Sequence, residues 1–261
     1  MNLSLAGKRA LVCGSTQGIG LAIAQELAGL GATCILLGRS EDSLTRALQS
    51  LDRAAGQSHQ LCIADQNDPL QLQSSITKQL AAGAIQILVN NSGGPASGPL
   101  LNSSAETFLA TFQQHLLANH QLAQLLVPGM RASGYGRIIN IISTSVRIPL
   151  KNLGVSNTIR GAVASWAKTL ANEVGPDQIT VNNILPGFTR TQRLHLLMQE
   201  KALKENRSIE EVEETWKGEV PLRRIAEPHE VAALAAFLAS PAAAYIHGVS
   251  IPVDGGRTGS I

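Results

Sequence analysis

CGSTQGIGLAIA, residues 13–24, decides the fold. Its glycines Gly14, Gly18 and Gly20 are spaced GxxxGxG. The residues ahead of them, RALVC, form an apolar run of strand length, and those after, IGLAIAQELAGL, read as a helix. Glycines let the chain turn tightly after a strand and let a diphosphate approach the backbone. A helix opening at Ile19 then aims its free amides and positive dipole end at the phosphates. Gly14, Ser15, Gly18, Ile19 and Gly20 are therefore candidate phosphate-binding residues. A Gly-rich turn alone is a weak signal. Between a strand and a helix, at the head of an alternating chain, it becomes a strong one.

The alternation continues outward from this stretch. TCILL, LCIA, IQILV, RIINII, ITVNNIL and VSIPV follow RALVC as strand-like runs, seven in all. Helical patterns lie between them. Leu44, Leu48 and Leu51 form one stripe behind Ser40 as N-cap, and Asp68 with Pro69 opens another helix. A long helix is expected over about residues 104–127, with Phe108, Phe112 and Leu116 on one side. Strands of continuous Val, Ile and Leu are buried on both faces. Repeated β-α units with such strands predict an α/β fold, a doubly wound parallel sheet of Rossmann type in a single domain over 1–261.

Composition narrows the function. The chain has 261 residues, 44% of them hydrophobic, and a formal net charge of +2. With no basic run, nucleic acid is not expected as a partner. No apolar stretch approaches the roughly 20 residues that span a bilayer, so no membrane partner is expected. The N-terminus lacks the basic-then-apolar order of a signal peptide, which makes the cytoplasm the expected compartment. Cys13, Cys34 and Cys62 each fall in or beside a strand, outside any CxxC pair, and read as small core residues. No cluster of His, Cys, Asp and Glu has metal-ligand spacing, so no metal is expected.

Residues 192–219 break the rhythm. They are charged and helical, with Ser208 and Glu211 as a capping box and Ile209, Val212 and Trp216 as a stripe. The insertion comes after the sixth strand, at the carboxyl end where such sheets bind ligands. A helical lid is the functional reading, and a helix pair merely packed on the surface is the bland one. Trp216 and the lid leucines point to an apolar substrate, although they could equally face the core.

GSTQGIG, Asp65 after LCIA, NNSG at 90–93, PGFTRT at 186–191 and VDGG at 253–256 together resemble the short-chain dehydrogenase/reductase family. The match runs in order over nearly the whole chain. It implies a seven-stranded Rossmann-type sheet, a nicotinamide cofactor, a small-molecule substrate and a homo-oligomer, tetramer or dimer. By position, Asp65 resembles the adenine-contacting acid. Asn90 resembles the start of the family's NNAG motif, with Ser92 for its alanine. Thr191 resembles the contact to the nicotinamide carboxamide.

The second strand ends LLGRS. An acid about 20 residues past the glycines selects NAD, whereas arginine suits the 2′-phosphate of NADP. Gly38 stands where the acid would be and Arg39 comes next, so NADP is the expected cofactor, with NAD as the alternative.

The family resemblance also implies four working side chains, Asn, Ser, Tyr and Lys, the last two in a YxxxK segment. Asn119 matches the asparagine and Ser143 the serine. In VSNTIRGAV, residues 155–163, Ser156 stands at the tyrosine position and Arg160 at the lysine position. No shift of register recovers a tyrosine, because Tyr135 and Tyr245 lie elsewhere. A phenol titrates near 10 and can be tuned downward by a neighbouring ammonium, whereas a serine hydroxyl is a far weaker acid. Arginine stays charged and can donate hydrogen bonds to a ribose, so Arg160 is also a candidate cofactor-binding residue, and the pair suits cofactor holding better than proton transfer. Asn119, Ser143, Ser156 and Arg160 are nonetheless the candidate catalytic set. His115, His120 and His195 are weaker candidates. The expected activity is an NADP-preferring oxidoreductase interconverting a carbonyl and a hydroxyl. The alternative is a catalytically silent cofactor binder acting as a sensor or partner subunit, and a different reaction in the same pocket is a third, weaker account.

Overall fold

Side chains along a strand alternate between the two faces of its sheet. In β1 (Arg9–Cys13) both faces are apolar, and the two sets enter different cores. Ala10 and Val12 join a cluster with α1 (Gly18–Gly29) and α9 (Pro228–Ala239). Leu11 and Cys13 join a second cluster on the opposite face. There they meet α3 (Pro69–Leu80), α5 (Ala118–Ala132) and α6 (Gly154–Val174). A strand buried on both sides in this way suits only the middle of a three-layer sandwich.

The computed structural model describes residues 1–260. The remaining strands are β2 (Thr33–Gly38), β3 (Gln60–Ile63), β4 (Ile87–Asn90), β5 (Gly136–Ile141), β6 (Ile179–Pro186) and β7 (Ser250–Val253). All seven are parallel, in the order β3-β2-β1-β4-β5-β6-β7. The order reverses between β1 and β4. The crevice of such a sheet opens there, outside the carboxyl ends of the strands.

Local signals place the helices. Ser40 Oγ accepts from Ser43 N ahead of α2 (Glu41–Gln49), and Asp68 accepts from Leu70 N and Gln71 N ahead of α3. The Ser208–Glu211 capping box opens α8 (Ile209–Gly218), which pairs with α7 (Gln192–Glu205). The long helix differs from its expected form. It begins as α4 (Ala105–Phe112), widens into one π-type turn over Gln113–Leu117, then resumes as α5 and runs past Pro128. A π-type turn inserts one residue and rotates the helix beyond it. Here it contains His115, which is buried.

A polar ladder crosses the sheet beneath the crevice. Asn90 Nδ2 donates to Asn140 Oδ1 at 2.8 Å, Asn140 Nδ2 to Asn183 Oδ1 at 2.9 Å, and Asn183 Nδ2 to Ser250 Oγ at 3.0 Å. These residues are register partners on β4, β5, β6 and β7. Buried amides linked in register oppose a slip of any strand, although Asn90 Oδ1 at the ladder's end has no partner.

The three cysteines are free and buried. Burial pushes their thiols up, to about 12 for Cys34 and about 11 for Cys62, so they are inert core residues. Among the described residues no helix is long and apolar enough to cross a membrane, and no three of His, Cys, Asp and Glu gather to hold a metal.

Candidate active site

A cleft of about 1190 Å³ opens at the switch point. One end begins at the turn after β1. Gly14 and Gly18 adopt φ of +57° and +56°, the left-handed region that glycine enters freely. A Cβ on Gly14 would stand 2.8 Å from Asn91 Nδ2, and one on Gly20 would collide with the carbonyl oxygen of Gly14. Asn91 Nδ2 donates to the carbonyls of Cys13 and Gly14 and so ties the turn to β4. Gln17 gives α1 no side-chain cap, which leaves its first amides open to the cleft. This cradle fits a diphosphate.

Gly14, Gly18, Ile19, Arg39, Asp65 and Thr191 line the cleft as expected. Arg39 and Asp65 face each other at its rim, 4.0 Å apart, the arginine exposed and the aspartate half-buried. Thr191 caps α7 through Leu194 N, and its methyl group comes close to Gly18. Three residues of the expected cofactor set do not line it. Ser15 is buried, with Oγ directed to Leu37 O. Gly20 serves the close approach of α1 to the turn, and Asn90 belongs to the amide ladder. Thr16, Gln17 and Asn91 line the cleft in their place. The sequence signal for Asn91 is its place in NNSG, one residue beyond Asn90.

The other end of the cleft holds Ser143, Ser156 and Arg160. Ser143 lies just past β5, and its Oγ accepts from Ser145 N at 3.1 Å. Arg160 Nε donates to Ser156 Oγ at 3.1 Å, one helical turn away. Its Nη1 donates to the carbonyls of Ile142 at 2.7 Å and Ile141 at 3.3 Å, the end of β5. Burial, and then the nearby Arg193, push the Arg160 guanidinium down to about 10. It remains a cation at neutral pH.

Asn119 is buried in α5 and does not line the cleft. Gln114, in the π-type turn, is the residue of this long helix that lines the cleft. Its neighbour His115 is buried. Its Nδ1 lies 2.8 Å from Ser92 Oγ, and its Nε2 is buried without a partner. Burial, and then the charge of Arg160, push the imidazole down to about 3, so it is neutral. His115 lies within the π-type turn, which helical spacing alone does not reveal. His120 is exposed, within reach of the Trp166 indole.

Residues of the helix pair α7–α8 line the cleft beside Ser143, Ser156 and Arg160. The pair has its own core of Leu194, Met198, Val212 and Trp216, and Phe188 stacks on Trp216 with centroids 4.7 Å apart. Trp216 is mostly buried in this packing, yet it lines the cleft together with Phe188, Leu194 and Leu197. Two contacts fasten α7 across the cleft, from Ser97 Oγ to Glu200 and from Arg193 Nη2 to Pro95 O. In the sequence Arg193 reads as one more lid charge.

The family model described as enoyl-(acyl carrier protein) reductase matches residues 14–258. A tropinone reductase homologue of Arabidopsis thaliana is 34% identical over 98% of this chain and 77% of its own length. An NADPH-dependent reductase of Bacillus subtilis is 30% identical over 97% of this chain and 99% of its own. Among solved structures, L-sorbose reductase from Gluconobacter frateurii, complexed with NADPH and L-sorbose, superposes with a TM-score of 0.94. It is 32% identical, with both chains covered completely. Levodione reductase superposes with a TM-score of 0.91 at 25% identity over 98% of this chain and 99% of its own. Extent of match, order of motifs and sheet topology agree: the chain belongs to the short-chain dehydrogenase/reductase family of nicotinamide-dependent oxidoreductases.

Proposed function

We propose that the protein is an NADP-dependent reductase that interconverts a carbonyl and a hydroxyl on a small molecule without a tyrosine acid. The observation that carries this reading is the single cleft joining the Gly14–Gly18 turn to Ser143, Ser156 and Arg160. Arg39 at the rim supports NADP over NAD, because a guanidinium can hold a phosphate with two hydrogen bonds. When bound, the dinucleotide supplies the hydride.

The chain's own residues do the rest. Ser156 Oγ already accepts from Arg160 and Ser143 Oγ from Ser145, so each hydroxyl keeps its proton to donate to a carbonyl oxygen. The Arg160 charge behind Ser156 stabilises negative charge growing on that oxygen. Neither serine is acidic enough to surrender its proton outright at neutral pH, and a water in the cleft supplies it. This arrangement keeps electrostatic stabilisation and gives up a matched general acid, whose loss typically costs about 10²–10⁴ in rate. Family membership supports a homo-oligomer, tetramer or dimer, and the cytoplasm stays the expected compartment.

The test is NADPH oxidation against a broad carbonyl panel, on protein first shown to bind NADPH. Slow, saturable turnover is expected. Tight NADPH binding with no turnover across the panel would favour a silent cofactor binder instead.

A further inference from the structure

Arg160 on α6 and Arg193 on α7 converge on one point. A methyl group built on Gly94 would lie 3.7 Å from Nη2 of Arg160 and 3.7 Å from Nη2 of Arg193, with nothing closer. Both guanidiniums line the cleft. Among the described residues, neither has a carboxylate oxygen within 4.0 Å.

The acids that line the cleft are engaged elsewhere. Asp65 faces Arg39, Glu205 pairs with Lys201 and Arg207, and Glu219 pairs with Arg257. Glu200 is the one acid near the pair. It accepts from Ser97 and favours the charged form of Arg193, but it does not reach hydrogen-bond distance. Lys151 and Lys204 line the same cleft and add to its positive charge.

Two guanidiniums facing one gap, one of them largely desolvated, repel each other unless an anion lies between them. The planar fork of arginine matches a carboxylate, and Arg160 Nη2 is the nitrogen not used on Ser156 or the end of β5. The gap adjoins Ser156, so an anion seated there carries its neighbouring carbons toward the serines.

We propose that the substrate is an oxo acid or the matching hydroxy acid, its carboxylate held between Arg160 and Arg193 against Gly94 and its carbonyl directed to Ser143 and Ser156. This rests on the reductase reading and names its substrate class. The reaction balances as carbonyl plus hydride from NADPH plus one proton giving hydroxyl and NADP.

The test titrates NADPH-saturated protein by calorimetry with acetoacetate and methyl acetoacetate, and with levulinate and methyl levulinate. NADPH oxidation is measured in parallel. Each acid should bind at least about tenfold more tightly than its ester, a modest demand for a charge-assisted pair. Arg193→Met should bring acid and ester to parity while the NADPH dissociation constant changes far less than the acid affinity. Gly94→Ala should do the same without altering any charge, because its methyl occupies the proposed seat in ordinary contact with both guanidiniums. Acid–ester parity in the parent overturns the proposal. So does an Arg193→Met variant that loses NADPH affinity as steeply as acid affinity, since the pair would then serve a cofactor phosphate. The same titrations on the free protein separate the two readings: failure to bind NADPH sinks the reductase assignment, whereas parity on NADPH-bound protein sinks only the oxo-acid site.

Discussion

Arg160 Nε donates to Ser156 Oγ while the same guanidinium grips the carbonyls of Ile141 and Ile142. The residue at the family's lysine position thus fixes the end of β5, from which Ser143 projects, and orients the residue at the tyrosine position. Replacing it by methionine keeps much of the stem and removes every one of these bonds. The freed Ile142 carbonyl lies in a buried setting, and a buried acceptor left unpaired costs about 1–3 kcal/mol. Arg160→Met should therefore lower the denaturant midpoint with an unchanged slope, and should cut kcat at least about tenfold. A variant as stable as the parent would show that these bonds contribute nothing net.

His115 makes stability depend on pH. Its folded pKa, about 3, lies below the ordinary 6.5 because of burial and then the Arg160 charge. Ser92 and Arg160 are the groups that face it. Between about 6.5 and about 3 the unfolded chain binds a proton that the folded chain refuses. Stability therefore falls as pH drops through that window, by up to about 1.4 kcal/mol per pH unit from this residue. His115→Gln keeps a polar side chain without the titration. Urea melts from pH 7 to pH 4 should be flatter for the variant than for the parent, and equal slopes would remove His115 from the account.

Arg39 should set the cofactor choice. Its side chain is exposed at the rim, opposite Asp65, directly after the glycine at the end of β2. A hydrogen bond to a charged group contributes about 1.5–3 kcal/mol. Arg39→Ala should weaken NADPH by about 10- to 100-fold and leave NADH nearly unchanged. Dissociation constants for both dinucleotides, measured at one salt concentration, decide it. An equal loss for the two would mean that Arg39 does not meet the 2′-phosphate.

The lid should open as a unit. Residues 192–219 pack mainly on their own small core and are fastened to the far side of the cleft by Arg193 and Glu200. Amides of α7 and α8 should exchange faster than those of the sheet in the free protein and slow on NADPH binding. Exchange as slow as that of β1 in the free protein would make the helix pair a fixed part of the fold.

The sheet was legible because its signals are local and repeated. Both-face apolar strands, Ser40 and Asp68 as caps and the Gly14–Gly18 turn each act over a few residues. Much of the site was legible for the same reason, since Ser156 and Arg160 stand at positions a motif defines. The residues that stayed hidden depend on three-dimensional placement. The π-type turn carries Gln114, which lines the cleft, whereas His115 and Asn119 are both buried. Asn90 and Asn91 are adjacent on one strand end and point to opposite uses, ladder and cleft. Arg193 gains meaning only when α7 folds over Gly94.

The last prediction restores the missing pair. Ser156→Tyr places a phenol on the wall of a cleft of about 1190 Å³, so the ring has open space on one side. Overpacking against the helix side still costs stability, about 1–3 kcal/mol where a core cannot yield. Arg160→Lys supplies a compact ammonium that lowers the phenol's pKa, but it surrenders the fork that grips Ile141 and Ile142. The two changes should act as a unit. Tyrosine beside arginine lacks the mobile ammonium, and lysine beside serine has no phenol to tune, so each single variant should gain far less than the pair. On a neutral carbonyl, where the carboxylate seat plays no part, the double variant should run at least about 10²-fold faster than the parent, the low end of what a placed general acid contributes. On an oxo acid the gain should be smaller, because lysine cannot replace the Arg160 half of the anion seat. The measurement is kcat and KM for both substrates on protein shown by calorimetry to bind NADPH. A folded, cofactor-bound double variant no faster than the parent, or a parent already turning over near the common enzyme median of about 10 s⁻¹, would mean that Ser156 and Arg160 are a complete catalytic pair as they stand.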